Sequence, residues 1–331
     1  MAVKLYLHIG HLYGSSGHIE ALLCANRDVL KARGYGVCDS QLLLSGKPGS
    51  SAFFSPYLDS DPSSPSLSAV FRNLRALADA QGLQAVVLSA PNLAVPGGAK
   101  FVAALRDYFD CKLLYYFKRQ DDLVVDWWMQ GDFKTGEGLN AYINRLVTTH
   151  PRCHYRNALE EYLDLFGHDR MRVQFLWHKV LKGKTLAQDF WHALGLDAEG
   201  FIDAPEPAPL VSSYLGAALK ESPYLFEGSD DEELIDFIRS YVEGDPVHKV
   251  NPLDVEPRRA IMQHFQPENR WLKETFFADV KMPGWNAVTD TDDRLYDVSP
   301  AGMTEIINIQ LAMLKELQQD VSRIKKRMGL K

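Results

Sequence analysis

The chain has 331 residues, 46% of them hydrophobic and 24% charged, an ordinary globular composition that allows one large domain or two of moderate size. Its formal net charge of −7 and isoelectric point of about 5.8 argue against a nucleic-acid groove, which needs an excess of Lys and Arg to displace counterions. They do not exclude a small anionic ligand, because a local pocket can oppose the global sign.

In chain order, "VKLYLHIG" is a short apolar run ending in glycine, as in a buried parallel strand. "GHIEALLCANRDVLKARG" follows with Ile19, Leu22, Leu23, Val29 and Leu30 near helical spacing, and closes on Gly34 as a C-cap. "YGVCDSQLLL" reads as a second strand. Residues 45–68 are rich in Gly, Ser and Pro and read as a long mobile loop. "SAVFRNLRALADAQG" is a helix, "LQAVVLSA" a strand, "AKFVAALRDYFD" a helix and "CKLLYYFKRQ" a strand. This alternation predicts a parallel, doubly wound α/β sheet. Helices dominate after residue 120, where "MRVQFLWH" is the one late strand and "TLAQDFWHALGL" the helix after it. "EGSDDEELIDFI" predicts a helix start with Ser229 as N-cap. Residues 302–328 form a long amphipathic helix. There Ile307, Leu311, Leu314, Val321, Ile324 and Met328 approximate a heptad seam interrupted by Gln318. Such a helix either lies on its own domain or self-associates.

Cys24, Cys38, Cys111 and Cys153 include no CxxC pair, so neither zinc nor a redox pair is indicated. They read as reduced thiols of a cytoplasmic protein. No signal peptide is visible, and no apolar run reaches the roughly 18 residues of a membrane span. His150, His154 and His168 are not at metal-ligand spacing, and no metal site is expected. Trp127 and Trp128 suit either core packing or an aromatic platform for a ligand.

The stretch "LYLHIGHLYGSSGHIEALL" turns from strand to helix. Such a turn aims free backbone N–H groups at one point, with the partial positive charge of the helix end behind them. Gly10, Gly14 and Gly17 allow close approach of the backbone, and Ser15 and Ser16 add hydroxyl donors. The pattern GxxxxGK[ST] is not met, so a plain turn and a phosphate cradle both fit.

"LHIGHLYGSSGHIEALLCANRDVLKARGY" resembles the opening of the bacterial sulfotransferase family, in which a strand, His-Ile-Gly, a tight turn and a helix ending in Asn-Arg occur in that order. "YYFKRQDDLVVDWWMQ" resembles the family's strand and Arg-Arg-Gln-Asp-Asp helix start. "YLDLFGHDRMRVQFLWHKVLKGKTLAQDFWHALGLD" and "LDVEPRRAIMQHFQPENRWLKETFF" resemble its later strand and helices. The resemblance implies a fold of the P-loop NTPase-like sulfotransferase type and 3′-phosphoadenosine-5′-phosphosulfate (PAPS) as co-substrate. The first turn would grip the 5′ end, and Lys118, Arg119 and Asp126 would stand at the 3′-phosphate.

Several positions depart from that family. Tyr13 stands where the family has the lysine that carries the main positive charge. Losing a preorganised charged donor costs about 3 to 4 kcal/mol in a transition state. Lys118 replaces an arginine and loses its bidentate fork. Asp126 replaces a serine and sets a carboxylate beside a phosphate. Arg119 either compensates or pairs with Asp121 or Asp122. Pro91 stands where the family often has an acid after Ser89. His11 and His18 flank the turn and can act as base or cationic donor near their pKa. Lys47, in the loop over the acceptor side, is a further candidate cation.

The sequence therefore predicts an α/β protein with a helix-rich second half and a long C-terminal helix. Residues 1–285 would form the sulfotransferase-like domain, and 286–331 a linker and helix. The function expected is transfer of a sulfuryl group from PAPS to a hydroxyl of a carbohydrate or small molecule. The alternatives are a catalytically degenerate relative that binds a partner, and a transferase using another nucleotide. Association of two copies through residues 303–328 is a further expectation.

Overall fold

The computed structural model describes residues 2–10, 16–58, 67–149, 153–204, 211, 213–228, 231–241, 253, 255–288 and 300–328. Five strands run parallel in one sheet: β1 (Lys4–His8), β2 (Tyr35–Val37), β3 (Ala85–Ser89), β4 (Asp110–Phe117) and β5 (Met171–Phe175). Their order is β2-β3-β1-β4-β5. The register sets His8 opposite Ser89 of β3 and Leu114 of β4. All five residues of β3 are buried, as expected where both faces of a parallel sheet are covered. The edge strand β5 instead alternates buried and half-buried residues.

Helices α1 (Ser16–Ala25) and α2 (Arg27–Ala32) join β1 to β2, and α3 (Ser50–Leu58) and α4 (Ser68–Ala80) join β2 to β3. Helix α5 (Ala99–Val102) precedes β4, while α6 (Gln120–Met129), α7 (Leu139–Thr149) and α8 (Tyr155–Phe166) separate β4 from β5. After β5 come α9 (Leu186–Ala193), α10 (Ser213–Leu219), α11 (Glu233–Arg239), α12 (Val255–His264), α13 (Gln266–Phe276) and α14 (Pro300–Arg327).

The chain forms two compact units. One is built from Met1–Leu123, Thr149–Pro207 and Gln263–Asn286 and holds the whole sheet. The other is built from Val124–Thr148, Ala208–Met262 and Ala287–Lys331.

In the first unit, Ile19, Leu22 and Leu23 of α1 pack with Tyr6, Val87, Tyr116, Phe190 and Trp191. Asn26 is fully buried between α1 and α2, where its amide donates to Leu22 O (2.8 Å) and Ile202 O (2.7 Å) and accepts from Ile202 N (2.6 Å). Asp189 of α9 is also fully buried, yet it accepts from Tyr116 Oη (2.8 Å), Arg172 (2.9 Å) and Lys182 N (2.7 Å). A buried carboxylate is tolerated only when so satisfied. In the second unit, Trp128 is buried and donates to Glu137 O (3.2 Å), and Trp127 is buried as well. Both tryptophans are core residues.

The structure corrects four sequence expectations. The strand in "YGVCDSQLLL" stops at Val37, because Asp39 Oδ1 accepts from Gln41 N (2.8 Å) and Leu43 N (2.9 Å) and closes a turn. The loop 45–68 contains α3, whose Pro56 lies near its end, while 59–66 fall outside the described residues. Helix α3 is held by tertiary bonds: Ser50 Oγ to Cys38 O (3.2 Å) and Asn92 Nδ2 to Ser51 O (2.8 Å). "AKFVAALRDYFD" forms only one α-helical turn, α5, and continues as a 3₁₀ segment over Ala103–Asp107. Ser229 lies outside the described residues, and α11 begins later, at Glu233, with no side-chain hydrogen bond from its N-terminal neighbour Glu232.

Candidate functional site

Winding from β1 leaves first toward the β2 edge and later resumes on the other side at β4, so its direction reverses at β1. Ligands of open parallel sheets bind beyond the carboxyl ends of the strands at such a reversal. At that end of β1 lies the segment that leads from His8 to α1. His11, Tyr13, Gly14 and Ser15 lie outside the described residues, as does residue 12. The turn's two rims are described, and they carry polar groups.

His8 is fully buried at the last position of β1. Its Nδ1 lies 3.0 Å from Ser89 Oγ, at the matching position of β3. Ser89 Oγ lies 3.5 Å from Glu20 Oε1, on α1. The other ring nitrogen, His8 Nε2, is buried without a hydrogen-bond partner among the described residues. It lies against Gly10: a Cβ built there would come within 2.5 Å of Nε2 and 3.4 Å of Ser16 Oγ. Gly10 is thus fixed by close approach of the imidazole on one side and of the head of α1 on the other. Burial holds the His8 imidazole neutral, lowering its pKa to about 3. Burial pushes the Glu20 carboxyl up, against a smaller opposing effect of the Ser89 hydrogen bond.

These three groups form a short relay. With Glu20 ionised, Ser89 donates to it, Nδ1–H donates to Ser89, and Nε2 is an acceptor. With Glu20 protonated, the chain runs the other way, and Nε2–H becomes a donor on the Gly10 side of the ring. Desolvation raises the Glu20 pKa and so brings this second arrangement closer than it would be for an exposed glutamate.

The remaining candidate residues are placed as follows. Ser16 is buried in the first turn of α1, and Gly17 is exposed beside it. His18 is on a different flank of α1, its Nε2 3.9 Å from Asp203 Oδ1. Lys47 is exposed beyond the edge strand β2, which β3 separates from β1. Its neighbour Gly46 lies against Arg27 of α2. Lys118 and Arg119 follow β4, the strand next to β1, and both are half-buried. The Arg119 fork closes on the fully buried Asp121, at 2.9 Å from Nε to Oδ1 and 2.6 Å between the second pair. Of the two roles open to Arg119, the structure displays pairing with Asp121. The backbone at Lys118 is anchored by Tyr155 Oη, which donates to its carbonyl (2.8 Å). Asp126 belongs to the second unit.

Sequence reasoning missed two pairings. One is the His8–Ser89–Glu20 relay. The other joins Gln120 and Asn269, both buried, whose amides exchange two hydrogen bonds of 2.9 Å and 3.1 Å. Asn269 also donates to Asn286 Oδ1 (3.0 Å). This amide ladder fixes the start of α6, just after Lys118 and Arg119, onto α13. In each case the available signal was a polar residue closing or following an apolar strand: His8 in "LYLH", Ser89 in "VVLS", Gln120 after "YYFKR".

Among the described residues, no three His, Cys, Asp or Glu side chains are grouped to hold a metal ion, and no helix is long and apolar enough to cross a membrane. No family model and no curated protein matches the chain. Among solved structures the chain is similar to a sulfotransferase from Alicyclobacillus acidocaldarius. The two are 13% identical, with a TM-score of 0.42, and the match covers 86% of this chain and 99% of that one. What fold and site define together is a parallel α/β protein with a polar, glycine-rimmed crossover at its central strand.

Proposed function

We propose that the crossover after β1 is an anion seat and that the protein is sulfotransferase-like, moving a sulfuryl group from PAPS to a hydroxyl of a carbohydrate or other small molecule. The reading rests on the four ordered sequence motifs. The observation that carries it is the Nε2 of the fully buried His8, which has no partner among the described residues and is set against Gly10 ahead of α1. An unpaired buried nitrogen costs about 1 to 3 kcal/mol, a cost that a bound anion at the turn offsets. The anionic end of the donor would lie on the amides of the turn, with Gly10, Gly14, Ser15, Ser16 and Gly17 around it. The opposite phosphate would be met by Lys118 and, on release from Asp121, by Arg119. PAPS supplies the activated sulfuryl group. Among this chain's own groups, Tyr13 donates one hydrogen bond in place of the family lysine, His11 or His18 takes the acceptor's proton, and Lys47 is a candidate cation.

A second reading is a binding protein that has kept the scaffold and lost the chemistry. It is favoured by the Arg119–Asp121 pair, which already occupies the guanidinium, and by Tyr13. Titration of PAP, the desulfated product, by calorimetry tests the proposal: micromolar binding that weakens in Lys118→Ala supports it. If PAP does not bind while Tyr13→Lys restores binding, the scaffold reading holds. Binding of a different nucleotide instead would make the protein a transferase with another donor.

A further inference from the structure

Helix α14 presents two faces of different character. Ile309 is buried, and Glu316, seven residues on, accepts a hydrogen bond from Tyr241 Oη. Helix α14 also packs on α10 of the same unit. Positions seven apart share a helix face, so Ile309 and Glu316 mark the face turned to the chain's own unit. Counting the heptad with Ile307 at position a puts both of them at c.

The other face is apolar and exposed. Met303, Ile307, Leu311, Leu314, Leu317, Val321, Ile324 and Met328 are each between 47% and 66% accessible. In the same count Ile307, Leu314, Val321 and Met328 fall at a, and Met303, Leu317 and Ile324 fall at d. The register includes Leu317, so Gln318 moves to the flanking position e and no longer interrupts the seam. Gln310 is the one polar residue at a d position, with Leu311 beside it. Every residue from 314 to 328 is exposed. Beyond Glu316 the helix runs on for about 12 exposed residues, a length that is marginal as a helix in water without a partner along its seam.

We propose that α14 pairs with the same helix of a second copy, as a parallel two-stranded coiled coil. The occupant is set by pattern, charge and area. Apart from Gln310, the a/d spacing matches a helix of the same periodicity, and β-branched Ile307 and Val321 at a with Leu317 at d favour two strands, against the opposite preference of Leu314 at a with Ile324 at d. Parallel pairing brings Asp320 at g against Lys325 at e of the second copy, opposite in sign. Within its own helix Asp320 has only an exposed contact to Arg323 (2.8 Å). Eight half-exposed side chains of roughly 100 Å² each amount to about 800 Å² per copy, the share of one partner in a standard interface.

The test is the mass of the full chain by sedimentation equilibrium. The expected value is twice 37.3 kDa. Leu317→Asp, at a solvent-exposed position, should halve it, while Ser322→Asp, at position b of the same helix, should leave it unchanged. Far-UV circular dichroism checks that the rest of the fold is retained. A wild-type chain of 37.3 kDa at tens of micromolar, or a dimer indifferent to Leu317→Asp, overturns the proposal. Orientation is read separately. Ile324→Cys in a Cys24→Ser background should oxidise to a covalent dimer, because in-register parallel chains bring the two d positions together. A dimer that fails to cross-link overturns the parallel arrangement.

Discussion

Replacing His8 by Asn removes the titrating ring and keeps an amide able to bond Ser89 Oγ. The expected effect is a stability difference that depends on pH. In the folded chain the imidazole is fully buried, and burial lowers its pKa to about 3. In the unfolded chain it titrates near 6.5. The folded pKa is the lower one, so between those values the unfolded chain binds a proton that the native chain refuses. The stability associated with neutral His8 is therefore fully present above about pH 6.5 and is lost as pH falls toward 3. The slope reaches about 1.4 kcal/mol per pH unit, and the loss from pH 7 to pH 5 is about 2 kcal/mol. The wild-type profile alone does not isolate this. Burial raises Glu268 to about 7, which stabilises the fold on the acid side of the same window, while the backbone N–H and the charge of Arg156 work against that rise. The quantity to measure is the difference between wild type and His8→Asn by urea unfolding, followed by tryptophan fluorescence at pH 7 and pH 5. The Asn variant should be less stable at pH 7, and its deficit should shrink by about 2 kcal/mol at pH 5. A deficit equal at the two pH values would refute a buried neutral imidazole at the end of β1.

Three other outcomes are expected. Gly10→Ala forces a methyl to within 2.5 Å of His8 Nε2, and displacing that ring should cost about 1 to 3 kcal/mol in urea unfolding and abolish PAP binding. Gln120→Leu or Asn269→Leu strands the other amide in the core, so each should cost about 1 to 3 kcal/mol. The double variant should cost less than the sum, which a double-mutant cycle reads directly. Tyr13→Lys returns the family's charge to the turn and should raise PAPS hydrolysis on the order of 100-fold, followed by release of labelled sulfate.

The fold was legible where burial and periodicity speak locally. Strands β1, β3, β4 and β5 are apolar runs between helical patterns, and their alternation with helices is enough to predict a parallel sheet. Where tertiary bonds override local composition the reading failed. The Gly-, Ser- and Pro-rich stretch after residue 45 became α3 because Ser50, Ser51 and Phe54 find partners on Cys38 and Asn92 and in the core. The "QLLL" run lost its strand to the Asp39 turn. The polar pairings beside the crossover were not legible, because His8 meets Ser89 across 81 positions and Gln120 meets Asn269 across 149. Periodicity carries no information at that separation. Arg119 shows the remaining limit: its two open roles differ only in whether Asp121 folds back onto it.

The most direct trial of the account is calorimetric titration of PAP into the wild-type chain, alongside the Gly10→Ala variant. An anion seat at the end of β1 predicts saturable micromolar binding to the wild type and none to the variant. The absence of heat from the wild type at millimolar ligand, or equal binding by both proteins, would contradict it.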